Sequence, residues 1–210
     1  MDQISKKIKM ISEKLKELKN KFNLYEIDGY VLPKNDEYFS EFAKKDKLKT
    51  ITGFDGSFGI AIILKKKNFL FVDGRYVEQA KIQTGKKFKV LEIPKKLPYQ
   101  VLNSNLNLGF DPMIFTSRSL QYYFRGKIKL TPINKTMINS KTLDGYKSRK
   151  FYSLNNKVVG ETVNSKIKRS IKILKKDGSD HIFISAPENV AWLLNIRGRD
   201  NPFSPIPYCR

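Results

Sequence analysis

The sequence predicts an α/β protein: a mixed sheet flanked by helices, followed by the start of a second α/β unit. Three observations carry this reading. Short apolar β-like runs, such as "FGIAIIL" (58–64) and "NFLFVD" (68–73), alternate with helical patterns over the first 140 residues. The chain opens on a stripe of apolar residues at helical spacing. A turn-rich stretch at 141–158 is then followed by a fresh helix and strand pattern.

The elements follow in order. In 2–22, Ile4, Ile8, Ile11, Leu15, Leu18 and Phe22 recur at steps of four and three, which places them on one helix face. Core packing explains that face better than a membrane surface, because the strand-like "YEIDGYVLP" (25–33) follows directly. A short helix is expected over 36–45. The runs 58–64 and 68–73 read as a hairpin, with "KKKN" as its exposed turn. Residues 75–84 are helical, 87–93 alternate as a strand, 97–104 are helical and 107–112 form a strand ending at a turn. Helix 117–126 and strand 127–133 complete the first unit. Segment 141–158, with several turn formers and little periodicity, reads as a linker. Beyond it, 160–180 is a helix with Ile167, Ile171 and Leu174 on one face and a stop at Gly178. "HIFIS" (181–185) is a strand and 186–196 a helix. One strand between two helices makes no stable sheet, so the second unit reads as incomplete.

Composition narrows the function. With 210 residues, 40% hydrophobic and 12% aromatic, the chain has enough apolar material for a core. No run approaches the ~18 apolar residues of a membrane span, and the charged N-terminus lacks the apolar region of a signal peptide. The expectation is a cytoplasmic protein. A single cysteine, Cys209, excludes an intrachain disulfide and a Cys-based metal cluster. A single histidine, His181, leaves no His/Cys zinc site and only one candidate base for a Ser-His-Asp triad. The net charge of +21 raises nucleic acid as a partner. The excess is lysine rather than arginine and is scattered in pairs and triplets, which reads as a solvated surface. Nucleic acid and membrane are therefore not expected partners. A polyanion-binding face is the alternative.

The densest motif is "TGFDGSFGIAIILKKKNFLFVDGRYVEQAK" (52–81). Its Asp55-Gly56 and Asp73-Gly74 pairs read as turns, with glycine reaching positive φ and aspartate bonding nearby amides. Asp73 and Arg75 would share a face of an extended strand and could pair through the guanidinium fork. A second candidate is the segment bearing Trp192, Asn195, Arg197 and Asp200, bounded by glycine and proline. Trp192, the only tryptophan, reads as core on an apolar helix face. Arg197 and Asp200 read as turn polar groups, with a structural salt bridge as the plain alternative.

These motifs resemble the Xaa-Pro aminopeptidases (aminopeptidase P) of the creatinase/prolidase superfamily. The matching residues are Gly53, Phe54, Gly56 and Ser57 (with Asp55 between them), then Asp73, Gly74, Arg75, Tyr76, Gln79 and Ala80. "LGFDP" (108–112), "GETVNSKIKRSIKILKKDGSDHIFIS" and "NVAWLLNIRGRDNPFSP" follow in the family's order, so the likeness covers nearly the whole chain. It implies a creatinase N-terminal-like domain with a ribonuclease H-like motif over 1–140, a linker over 141–158 and the beginning of a related second domain over 159–210. It further implies that chemistry sits in a separate "pita-bread" domain. There two Asp, one His and two Glu hold two divalent ions, usually manganese, and a bridging hydroxide attacks the bond before proline. Nothing in these 210 residues resembles that domain, so the chain alone is expected to be catalytically silent, with no metal of its own. His181 takes no ligand role. Asp73, Arg75 and Tyr76, with Trp192, Arg197 and Asp200, are implied at a substrate entrance or a homodimer interface, while Gly53 to Ser57 and Gly74 shape the domain. The alternative is a split-subunit or non-enzymatic binding module, for instance for polyanions.

Overall fold

The computed structural model describes residues 3–39, 45–103, 105–126, 128–134, 137–139, 149–200 and 204–209. The chain divides into two compact units, residues 1–143 and 144–210.

Unit 1 is a six-stranded mixed sheet flanked by helices, in the strand order β4-β3-β2-β1-β5-β6. Its strands are β1 (Gly29–Pro33), β2 (Ile60–Leu64), β3 (Asn68–Asp73), β4 (Lys89–Ile93), β5 (Asn107–Phe110) and β6 (Lys129–Pro132). β2 runs antiparallel to both β1 and β3; the β3–β4, β1–β5 and β5–β6 pairs are parallel. The central β1 is buried along its whole length, as its unbroken apolar sequence requires. Helix α1 (Gln3–Asn20) lays Ile11, Leu15 and Leu18 into the core, with Phe22 just beyond its end. Ile8 remains exposed, and the Ile4 side chain lies outside what is described. The hairpin turns through Lys65-Lys66-Lys67, closed by the Leu64 amide donating to the Lys67 carbonyl at 2.8 Å.

Helix α2 (Lys47–Thr52) has no counterpart in the sequence reading. Asp46 caps its start by accepting from the Lys49 amide at 2.8 Å. Gly53 ends it in the left-handed region, at φ 78°. The helix expected over 36–45 is a turn in its described part, 36–39, where the Asp36 carboxylate accepts from the Tyr38 amide. Residues 40–44 lie outside the described residues. After β3 the chain makes one 3₁₀ turn (Gly74–Tyr76) before helix α3 (Val77–Thr84). Helices α4 (Pro98–Val101) and α5 (Ser117–Tyr123) are shorter than their patterns suggest.

Unit 2 holds a two-stranded ladder, β7 (Tyr152–Ser153) with β8 (Ile196–Arg197), and helices α6 (Asn156–Val159), α7 (Val163–Lys176) and α8 (Pro187–Leu193). Residues 140–148 of the expected linker lie outside the described residues, while β7 and the start of α6 fall within its span. The strand expected at 181–185 does not form. That segment joins no ladder, and Ile182 and Phe183 are 61% and 85% exposed. A strand pattern becomes a strand only when a neighbour takes its backbone hydrogen bonds, and among the described residues none does.

Candidate functional site

β1, β3, β4, β5 and β6 all run in the same direction, so their carboxyl ends meet at one edge of the sheet. Loops at this edge of an α/β sheet are where ligands are held. A cavity of about 410 Å³ opens there. Its polar rim comes from Lys34 and Asn35 after β1 and from Asp73 and Arg75 at the end of β3. Its apolar wall comes from Phe39, Phe58, Phe115 and Tyr123. The Asn35 amide donates to the Ile114 carbonyl at 2.9 Å, tying the end of β1 to the turn after β5. Thr116 and Ser119 cap the start of α5 at the same rim.

Asp73 and Arg75 pair through two hydrogen bonds, Nε to Oδ1 at 3.1 Å and Nη2 to Oδ2 at 2.8 Å. The pair is not on a strand. Asp73 caps the 3₁₀ turn by accepting from the Arg75 amide, which places the guanidinium back over the carboxylate. Nor is it buried, since the Arg75 side chain is 73% exposed. The Arg75 hydrogen bonds hold the Asp73 carboxyl below the usual range. The guanidinium also lies 5.1 Å from the Tyr76 ring centre.

Behind this pair sits a support that the sequence shows only as glycine-rich turns. The Phe54 ring is fully buried and meets Tyr76 edge to face at 5.8 Å. The Tyr76 hydroxyl shares a 2.9 Å hydrogen bond with Ser57. Gly56 is needed for space and not for positive φ: a methyl there would sit 2.2 Å from the Phe54 ring. Gly74 likewise keeps negative φ, so only Gly53 of the three uses the left-handed region. Asp55 does not bond nearby amides. Its carboxylate accepts from Gln83 at 2.7 Å and Gln79 at 2.9 Å, and lies 3.4 Å from Lys49. Burial pushes the Asp55 carboxyl up, but the Gln83 hydrogen bond, the Lys49 charge and Gln79 outweigh it, and the net position is below the usual value. The loop is thereby fastened to α2 and α3 together.

The second candidate set lies in unit 2. Trp192 is not a core residue; it is 48% exposed. The buried Lys166 ammonium lies 4.3 Å from its ring centre and Arg169 lies 5.6 Å away. Lys166 also donates to the Trp192 carbonyl and to Asn195 Oδ1, both at 2.6 Å. Asn195 takes a left-handed turn, φ 51°, out of α8. Arg197 donates to the Ile196 carbonyl at 2.8 Å and the Ala191 carbonyl at 3.4 Å, closing the end of α8. Asp200 accepts from the Arg149 amide at 2.8 Å and the Tyr208 amide at 3.3 Å. Among the described residues Arg197 and Asp200 form no ion pair; each braces backbone. His181 is exposed.

Sequence reasoning missed Lys166, whose role depends on a contact 26 residues away. It also missed Lys34, Asn35, Phe39 and Tyr123, whose only shared signal is a place after strand ends. The cavity offers binding groups rather than bond-breaking ones, because Ser57 pairs with a tyrosine and not with a base. Among the described residues no three His, Cys, Asp or Glu side chains gather as metal ligands. They do not fit a dinuclear centre, and no metal-assisted step is drawn through them.

The comparisons with known proteins agree on kinship. The Creatinase/Prolidase N-terminal domain matches residues 14–138, and a second family of the same description matches 144–210. A probable Xaa-Pro aminopeptidase P of Laccaria bicolor is 30% identical over 93% of this chain and 33% of its own length. Xaa-Pro aminopeptidase 1 of Dictyostelium discoideum is 27% identical over 93% of this chain and 35% of its own. The chain therefore spans about a third of the curated relatives it matches. The crystal structure of the X-prolyl aminopeptidase of Caenorhabditis elegans, described as a cytosolic enzyme with a di-nuclear active site, superimposes with a TM-score of 0.76. It is 24% identical over 93% of this chain and 36% of that one, and shares the fold. With more than half of its residues inside one family match and the rest inside another of the same description, the chain belongs to the creatinase/prolidase N-terminal domain family.

Proposed function

We propose that these residues form the N-terminal, non-catalytic portion of a metal-dependent Xaa-Pro aminopeptidase that acts in the cytoplasm. The complete enzyme would release the first residue from peptides with proline in second position. Its two divalent ions, manganese in this reading, would be held by a pita-bread catalytic domain. The observation that carries the reading is the pairing of Xaa-Pro aminopeptidase relatives, matched over a third of their length, with a cavity that has binding groups and no nucleophile–base pair. Asp73, Arg75 and Tyr76 then serve as a rigid, charged wall at the peptide entrance or homodimer contact. The bidentate pair and the ring beneath it fix the guanidinium without burying it. Trp192, Arg197 and Asp200 order the turn that leads toward the peptide cleft. A cytoplasmic setting is supported by the description of the nematode enzyme; among the described residues no helix is long and apolar enough to cross a membrane.

Two experiments test this. The 210-residue chain with manganese and Xaa-Pro peptides should show no hydrolysis, and robust cleavage would overturn the reading. In an enzyme carrying the catalytic domain, Arg75→Ala should change dimerisation or the length of peptide accepted. Unchanged assembly and unchanged peptide kinetics would remove the entrance role.

A further inference from the structure

We infer that the face formed by α7 and residues 181–185 is a docking surface for an acidic β-hairpin, supplied by polypeptide outside these 210 residues. The face is apolar and uncovered. Val163, Ile167, Ile171 and Leu174 recur at i, i+4, i+8 and i+11, which is one stripe of a helix. Ile167 and Ile171 are exposed. In α1 the equivalent stripe of Ile11, Leu15 and Leu18 is buried, because a sheet lies beneath it.

The order of elements says what is wanting. Unit 1 runs helix, strand, short helix, glycine loop: α1, β1, α2, Gly53. Unit 2 repeats that order as α7, 181–185, α8, Gly198. In unit 1 the strand is held by β2 on one side and β5 on the other. Residues 181–185 have neither neighbour among the described residues. Their sequence alternates His181, Phe183 and Ser185 with Ile182 and Ile184, and their backbone groups stand open to an added strand. A lipid surface would cover the isoleucines but leave those backbone groups unsatisfied. That favours polypeptide.

Charge selects its sign. Of the cations on α7, Lys166 is internally bonded and Arg169 pairs with Glu161. Lys168, Lys172, Lys175 and Lys176 are exposed and make no ion pair among the described residues. At 100° per residue Lys168 and Lys175 lie beside the isoleucine stripe and Lys172 next to them. A second copy of the chain brings +21 and the same lysines, so it is repelled where an acidic hairpin is attracted.

The test uses the whole 210-residue chain and a synthetic hairpin of two Val/Glu-alternating strands joined by Asn-Gly, with a Val/Lys hairpin as its mirror. Amide hydrogen exchange at 181–185 is the readout. At ten times the dissociation constant the acidic hairpin should slow that exchange about tenfold. The effect should weaken with salt. Ile171→Lys and, separately, Phe183→Ser should abolish it. Both positions are exposed, so the fold survives the changes, and Trp192 emission checks that it does. The inference is overturned if the acidic hairpin gives no protection or if the lysine hairpin protects equally. It is also overturned if sedimentation shows the chain covering the face by dimerising, or if phosphatidylserine/phosphatidylcholine vesicles protect 181–185 where the hairpin does not.

Discussion

Asp46 joins two stabilising roles that a single substitution separates. Its residue is 5% exposed. One carboxylate oxygen accepts the Lys49 amide at the start of α2, and the other meets the Lys34 ammonium, whose side chain is 11% exposed. Asp46→Asn keeps the cap, since asparagine caps about as well as aspartate. It removes the charge and leaves Lys34 uncompensated. Breaking a buried pair from one side costs about 3–5 kcal/mol. Asp46→Ala should add about 1 kcal/mol for the lost cap. Lys34→Met combined with Asp46→Asn should recover most of the loss, because an apolar chain of similar volume replaces the stranded cation. Urea unfolding followed by far-ultraviolet circular dichroism is the right assay. Emission from Trp192 reports unit 2, whereas the pair lies in unit 1. A cost below about 1 kcal/mol for Asp46→Asn would refute the argument. So would single-mutant costs that simply add in the double mutant, to within the ~0.5 kcal/mol expected of independent sites. Lys34 lines the cavity, so the same cycle tests whether the rim is held by this pair.

Three further outcomes follow from the same geometry. Gly56→Ala should cost about 1–3 kcal/mol by driving a methyl into the buried Phe54 ring, read as a lower urea midpoint with unchanged slope. Asp55 has a folded pKa below its ordinary 3.8, so its contribution is present above that value and is lost as pH falls through the folded one. Asp55→Asn should flatten that acid limb in unfolding measured across it, and an unaltered pH profile would show that the Gln79–Gln83 clamp is idle. Lys166→Met should remove two 2.6 Å hydrogen bonds and the cation beside Trp192, shifting tryptophan emission and loosening the turn at Asn195 in hydrogen exchange.

Local chemistry made much of unit 1 legible. The apolar period of α1 and the paired runs around Lys65-Lys66-Lys67 each point to one structure, and the sheet forms from them. Helix α2 escaped notice because "KLKTIT" has β-branched residues and no full apolar turn. Its signals were punctuation, Asp46 before and Gly53 after. The Asp73–Arg75 pair was visible from spacing, although the spacing was right for the wrong reason. The residues meet across a 3₁₀ turn capped by the aspartate itself, and not along a strand. The cavity wall was not visible. Phe39, Phe58, Phe115 and Tyr123 lie far apart in sequence, and only strand order brings them to one sheet edge.

The contrast between α1 and α7 shows why periodicity stops short of burial. Both helices carry isoleucine and leucine at the same intervals, and both are flanked by lysine. Period fixes which face is apolar; it says nothing of what that face meets. α1 meets a sheet, because β2 can pair with β1 and β3 at once. α7 is followed by a segment equally rich in strand formers, yet that segment has no ladder, so both remain exposed. The same logic explains Lys166. On a helix whose isoleucines face outward, the position turned toward α8 is a lysine. It stays buried because two carbonyl oxygens and an aromatic face take its charge. Covering the isoleucine face, by whatever segment, would leave that lysine undisturbed. Docking on α7 and the order of the Asn195 turn are therefore separable: Ile171→Lys should abolish the first and spare the second.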